Sequence, residues 1–154
     1  MISITRYREL LIEWMNSVNN HALDRFIDGV AIAVREGHMV RKLRDRQGVW
    51  LCSNYPDAQV QHTDDNDSTV TRVLLYIIEK VPSGQMNDER EIMHYAQMQE
   101  LMDLLVGVLI DNPSLCRSMV PESSLNVEWE YDIFGGWNGL SVSLTLRDYD
   151  STIH

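Results

Sequence analysis

Residues 126–147 read NVEWEYDIFGGWNGLSVSLTLR, and this stretch decides the fold class. Apolar and polar side chains alternate from Val127 to Ile133, and they alternate again from Leu140 to Leu146. A period of two is typical of strands that bury one face. The stretch therefore predicts two antiparallel strands joined as a hairpin.

The turn of this hairpin has two interpretations. Asn138-Gly139 is a favoured two-residue turn. Alternatively, Phe134-Gly135-Gly136 turns the chain, Trp137 opens the second strand and Gly139 forms a bulge. In both cases Trp137 lies beside glycines, where core packing and a subunit contact fit an aromatic side chain equally well. Trp137 and Asn138 are therefore candidate interface residues.

Two amphipathic helices precede the hairpin. Apolar residues recur at helical spacing across Thr5–Ser17, and Asn19-Asn20 are expected to end this first helix. A capping box that begins at Asp88 opens a long helix to Ile110, which Asn112-Pro113 is expected to stop. Trp14 and Trp129 lie on apolar stripes, which predicts that both are in the core.

Three further segments complete the secondary structure. Residues 49–52 predict a strand, and residues 70–81 predict a second strand that is covered on both faces, because its apolar run is nearly continuous. Residues 23–36 remain open. They form either one helix, in which Gly29 costs about 1 kcal/mol, or a strand at residues 25–28 followed by a helix at residues 30–36.

These elements predict a single α+β domain over residues 1–147, with a polar tail at residues 148–154. A chain of 154 residues suits one domain, since each half would be short of core. The economical packing is a mainly antiparallel sheet with two principal helices laid on one face.

The residues that most often carry catalysis form no recognisable motif. The sequence contains neither a phosphate-binding glycine motif nor a nucleophile elbow. Glu91 and His94 form one Glu-x-x-His, whereas a di-iron bundle needs two, so we expect a surface pair. Residues 64–67 lack the ligand spacing of an EF-hand. Cys52 and Cys116 are expected to be reduced and partly buried. We therefore expect no enzyme, no cofactor and no metal site.

The charge distribution is uneven. The net charge is −10, from 23 acidic and 13 basic residues, and such a chain is repelled by nucleic acid and by anionic lipid unless its cations cluster. They do cluster in residues 35–46. A solvated helix face, a nucleic-acid contact and a contact with an acidic surface of a neighbouring copy all fit this stretch. Its candidate interface residues are Arg41, Lys42, Arg44 and Arg46.

Targeting signals are not evident in the sequence. No apolar run reaches the length of a membrane span, and residues 1–6 lack a basic region followed by an apolar one. We therefore expect neither a membrane segment nor a secretory signal.

Residues 49–147 resemble the small neck and tail-terminator (tail-completion) proteins of tailed phages and prophages. The resemblance lies in the order of the elements and in the ending, which runs from Asp132 through Gly136-Trp137 into the alternating strand to Leu146. It implies a virion protein, present in the host cytoplasm during assembly, that forms a homo-oligomeric ring. The ring would be a hexamer if the protein is a tail terminator. Its partners would be neighbouring neck and tail-tube proteins, and DNA would pass through it without specific binding.

A second class of function also fits the composition. A soluble, acidic protein-interaction module, of adaptor or immunity type, would bind a basic partner through its acidic surface and have no catalytic activity.

Overall fold

The computed structural model describes residues 2–62, 67–81, 86–111, 119–121 and 125–148. Its described strands form one mostly antiparallel sheet of seven strands, so the chain has the α+β fold that the sequence predicts. In chain order the elements are α1 (Ile4–His21), β1 (Ile27–Ala33), α2 (Glu36–Leu43), β2 (Val49–Asn54), β3 (Asp57–His62), β4 (Asp67–Lys80), α3 (Asp88–Asp111), β5 (Met119–Pro121), β6 (Asn126–Ile133) and β7 (Trp137–Asp148).

The antiparallel pair of β4 and β7 forms the centre of the sheet. The pairing extends from Thr69 opposite Asp148 to Lys80 opposite Trp137. β2 and β3 share the other side of β4, while β6 and β5 share the other side of β7. β1 pairs with β2 in parallel, because the connection through α2 carries the chain back across the sheet. β1 and β6 consequently lie toward opposite ends of the sheet.

Helices cover both faces of the sheet. α1 and α3 pack on one face over the larger core cluster, which includes Leu51 and Ile77. α2 packs on the opposite face over a smaller cluster, which includes Cys52 and Ile78. The expectation that the helices lie on one face is therefore incomplete. Consecutive residues of a strand point to opposite faces, and these strands carry apolar residues in both positions.

Asn19 does not end α1, which continues to His21. Its side-chain amide donates to the carbonyl of Ile27 at 2.9 Å, and its Oδ1 accepts from the Ile27 N–H at 2.8 Å. Because these partners belong to β1, the side chain does not compete with the helix backbone.

The single-helix interpretation of residues 23–36 is wrong, and the strand-then-helix interpretation has the right order but the wrong bounds. Residues 27–33 are strand, and the helix begins only at Glu36. The register with β2 shifts between Ile27 and Gly29, which breaks the period of two on which a strand prediction depends. Gly29 is required beneath the ring of Trp50, since a Cβ there would lie 2.6 Å from the indole.

The long helix α3 matches its predicted length and face, but its cap is one residue earlier. The Asn87 Oδ1 accepts from the Arg90 N–H at 2.9 Å, so Asn87 caps the helix and Asp88 does not. The predicted stop at Asn112-Pro113 lies outside the described residues. So do Cys116, most of the acidic loop at residues 64–67 and all of the tail after Asp148.

The hairpin turn follows the second interpretation. Phe134, Gly135 and Gly136 turn the chain with positive φ angles, and Trp137 opens β7. The register shift lies between Glu130 and Ile133, however, and Gly139 does not form the bulge. Gly139 has a different role, because a Cβ there would lie 2.0 Å from the carbonyl oxygen of Ile77 in β4.

We expect Gly139→Ala to destabilise the fold by about 2–4 kcal/mol, since the added methyl group forces β7 away from β4. Denaturant unfolding measures this effect. The matched control is Gly107→Ala in α3, where a Cβ meets nothing within 4 Å. That control should raise stability by up to about 1 kcal/mol. Equal effects of the two substitutions would contradict the close approach at Gly139.

Candidate functional site

A groove of about 780 Å³ runs along the outer edge of β1, between the start of α1 and the end of α2. We call it the basic groove. Arg8 lines it from α1, while Asp45 is a carboxylate within its lining. Three further cations, Arg41, Lys42 and Arg46, come from α2 and the residues after it. Positive charge therefore predominates in this groove, within a chain whose net charge is −10.

The backbone of β1 forms the floor of the basic groove. The Tyr55 N–H donates to the Ala33 carbonyl at 2.9 Å, so Ala33 bonds toward β2. Alternation then directs the backbone groups of Val30 and Ile32 away from β2, toward the groove. The Lys42 ammonium confirms this direction, because it donates to the Ile32 carbonyl. The groove thus contains the edge of a strand.

An aromatic ring and a guanidinium form one wall of the groove. The Arg46 guanidinium carbon lies 5.3 Å from the centre of the Trp50 ring, within reach of a cation–π interaction. The Trp50 Nε1–H donates to the Gln47 carbonyl at 2.9 Å, and the ring crosses over Gly29. These contacts hold Trp50 in place beside the strand edge.

The far side of the sheet carries the opposite charge. We call β6 with Glu128, Trp129, Glu130 and Tyr131 the acidic edge. The Ser141 hydroxyl donates to the Glu130 carboxylate at 2.8 Å, which places Glu130, and by alternation Glu128, on the face of the sheet that α2 covers elsewhere. The carboxylates of Glu128 and Glu130 therefore lie on the face of the sheet that carries α2, the helix that supplies Arg41 and Lys42 to the basic groove.

The aromatic side chains of the acidic edge point to the other face. Trp129 packs edge-on against Tyr95 of α3, with 5.6 Å between ring centres. Trp129 is nevertheless 59% exposed and Tyr131 is 75% exposed. The prediction that Trp129 is a core residue is wrong, because β6 lies at the outside of the sheet and α3 covers it only in part. Trp14 is buried, as predicted.

The structure brings together only some of the predicted interface residues. Arg41, Lys42 and Arg46 line the basic groove, whereas Arg44 is exposed at the end of α2 outside the groove lining. Sequence reasoning missed Arg8, which reaches the groove from another helix. It also missed that Glu128 and Glu130 share one face of β6, although their alternation with Trp129 and Tyr131 is visible in the sequence.

Trp137 and Asn138 need correction as interface residues. Trp137 is 1% exposed within the cluster beneath α2. Asn138 is buried, and its Oδ1 accepts from the Asp132 N–H at 2.7 Å. Both side chains stabilise the turn from inside the fold, so neither is available to a neighbouring subunit.

A polar network of a buried histidine and two half-buried charged residues joins α3 to the centre of the sheet. The His94 Nδ1 lies 3.2 Å from a Glu79 carboxylate oxygen, and its Nε2 lies 3.1 Å from the Asn138 carbonyl. Arg25 forms an ion pair with the same Glu79 carboxylate. His94 is thus buried rather than in a surface pair with Glu91, because its face of α3 turns toward β4. The network has a structural role in the fold.

The network determines the ionisation of Glu79. Burial raises the pKa of this carboxyl, but the hydrogen bonds from His94 and Arg25 outweigh burial and hold the pKa at about 2.

Cys52 is free and buried, as predicted, and burial raises the pKa of its thiol. Among the described residues, no group of three or more His, Cys, Asp or Glu side chains could hold a metal ion. No described helix is long and apolar enough to cross a membrane.

The chain matches no protein-family model, and no curated protein matches its sequence.

We expect Glu79→Gln to lower stability at pH 7 by about 1–3 kcal/mol, because it leaves Arg25 and His94 without their carboxylate partner. The folded-state pKa of Glu79 lies below the usual value of 4.5. The stability that this carboxylate contributes is therefore fully present above pH 4.5 and is lost as the pH falls toward 2. Denaturant midpoints measured across this range should fall less steeply in the variant. The exposed Glu128→Gln serves as control, and parallel pH profiles for Glu79→Gln and wild type would refute the network.

Proposed function

We propose that this chain is a structural subunit that assembles head-to-tail into a homo-oligomeric ring, with a role in the neck or tail completion of a tailed phage. One observation carries the proposal. A single sheet has a cationic groove along one outer strand and a carboxylate-bearing strand at the opposite side. The chain is not an enzyme in this proposal.

Charge determines which surfaces of two copies attract each other. If two grooves meet, Arg41 and Arg46 of both copies lie close together. If two acidic edges meet, the carboxylates of Glu128 and Glu130 from both copies lie close together. Juxtaposed like charges of this kind cost several kcal/mol. A contact of groove with acidic edge pairs opposite charges and leaves one free surface of each kind. Repetition of this contact builds a ring where the rotation closes.

Exposed aromatic residues support a protein partner at the acidic edge. Trp129 and Tyr131 are both more than half exposed on β6, beside Glu128 and Glu130. Aromatic anchors with polar surroundings are typical of protein interfaces. An acidic strand is repelled by nucleic acid and by anionic lipid, so a protein surface is its favoured partner.

The resemblance of residues 49–147 to neck and tail-terminator proteins supports the specific setting. Under this proposal the ring lies between head connector and tail tube, with neighbouring virion proteins as further partners. It assembles in the host cytoplasm, and DNA passes through it without specific contacts.

A second candidate is a soluble interaction module that uses the acidic edge to bind a basic partner. The exposed Trp129 and Tyr131 beside carboxylates fit this function as well. It differs from the ring subunit in one measurable respect, because it does not require the basic groove or self-association.

Solution mass separates the two functions. We expect light scattering at low salt and rising concentration to show a discrete species of about six copies. Raising the salt from about 0.1 M to about 1 M shortens the screening length from about 10 Å to about 3 Å and should shift this species toward monomer. A monomer at every concentration and salt would contradict the ring and favour the interaction module.

A further inference from the structure

We infer that the sheet continues from one copy to the next, with β6 of one copy adding as an antiparallel strand to the open edge of β1 in its neighbour. This inference rests on the proposed head-to-tail assembly and specifies the contact that holds it together.

The open edge of β1 offers backbone groups for strand addition. Val30 and Ile32 direct their N–H and C=O groups into the basic groove, where Lys42 occupies the Ile32 carbonyl. At the other end of β1, Asn19 already bonds both backbone groups of Ile27. Added strands bind such edges through main-chain hydrogen bonds, and side-chain pockets supply specificity. The second half of β1 is therefore the segment that accepts a partner strand.

Strand direction favours this pairing. β1 runs parallel to β2, and three successive antiparallel pairs then lead from β2 through β4 and β7 to β6. β6 therefore runs opposite to β1. When neighbouring copies have the same orientation, β6 of one copy runs antiparallel to β1 of the next. Antiparallel pairing is slightly more stable per residue than parallel pairing.

The faces of the two strands also match. Glu128 and Glu130 lie on the face of the sheet that carries α2, which is the helix that supplies Arg41 to the basic groove. In a continuous sheet the incoming carboxylates consequently arrive on the side where the cations are. Burial of these charges at the junction is compensated by their pairing.

The opposite face receives the aromatic side chains of β6. Trp129 points to the face that α1 covers, and Ile4, in the first turn of α1, is 41% exposed beside the groove. Each junction therefore has an apolar contact on one face and an ionic contact on the other. The reversed sheet would place Glu128 and Glu130 on the α1 face, away from Arg41 and Lys42 of α2, so the ionic contact favours the stated orientation.

A single-stranded nucleic acid is the main competing occupant of the basic groove, since Trp50 could stack on a base and the cations could bind phosphates. The strand-edge floor favours a polypeptide, because its donor groups alternate with acceptors that phosphate cannot use. The net charge of −10 also opposes a polyanion.

Reciprocal charge reversal tests the contact. The groove variant is Arg41→Glu with Arg46→Glu, and the strand variant is Glu128→Lys with Glu130→Lys. Arg35→Glu with Arg44→Glu is the matched control, because it makes the same charge change outside the groove lining. A third variant, Val30→Pro, removes one groove-facing N–H and spares the β1–β2 ladder. Circular dichroism establishes that each variant is folded before light scattering.

We expect the groove and strand variants each to weaken self-association by roughly tenfold or more, and the control to retain it. An equimolar mixture of the two variants should assemble again, because every junction then pairs opposite charges. Val30→Pro should weaken assembly without altering charge. The wild type tests whether the chain assembles at all, and the variants test whether the contact of β6 with β1 holds the assembly together.

If both charge-reversed variants self-associate as strongly as the wild type, the strand contact is overturned and the ring proposal stands. A mixture that stays dissociated would overturn it as well. A wild type that never assembles would overturn the ring and the contact together. A different result would assign the groove to nucleic acid: the wild type binds a single-stranded oligonucleotide, and the groove variant loses this binding but self-associates as the wild type does.

Discussion

The antiparallel pairing of β4 with β7 is the constraint on which the rest of the structure depends. It fills the centre of the sheet, and Gly139 allows the two backbones to approach at Ile77. Alternate side chains of this pair supply both cores. Leu140 packs beneath α1 and α3, and Trp137 packs beneath α2. On the β4 side of this pair β2 and then β1 follow, whereas β6 pairs directly with β7. The basic groove beside β1 and the carboxylates of β6 therefore lie at opposite ends of the sheet.

The elements with an undisturbed hydrophobic period could be predicted from the sequence, and those with a local irregularity could not. α1, α3 and β7 follow their periods closely, and β6 does so up to its register shift after Glu130. Residues 27–33 do not, because the register shift next to Gly29 removes the alternation, and their apolar residues then imitate a helix. Asn19 shows a related effect, since its helix-ending tendency disappears once β1 provides partners for its amide.

The candidate site depends on tertiary structure more than the fold does. The cations of residues 41–46 were visible as a cluster, but nothing local to them predicts that Arg8 lies opposite or that a strand edge lies between. Of the two roles that the sequence left open for Trp137, core packing is the one observed, and the reason is physical. A turn rich in glycine usually lies at the surface, yet the positive φ angles at residues 134–136 fold this turn back, and Phe134 packs against Tyr76 with 5.1 Å between ring centres.

Buried polar groups and exposed charges have distinct roles in this account. The ion pair of Arg25 with Glu79 stabilises the fold from within, whereas the carboxylates of β6 and the cations of the groove direct association. Amide hydrogen exchange on the assembled wild type tests the central claim most directly. The amides of Val30 and Ile32 should exchange slowly in the assembly and rapidly after dilution to monomer, together with the amides of β6 that point away from β7. Unchanged exchange at Val30 and Ile32 on assembly, with protection at another surface, would contradict the account.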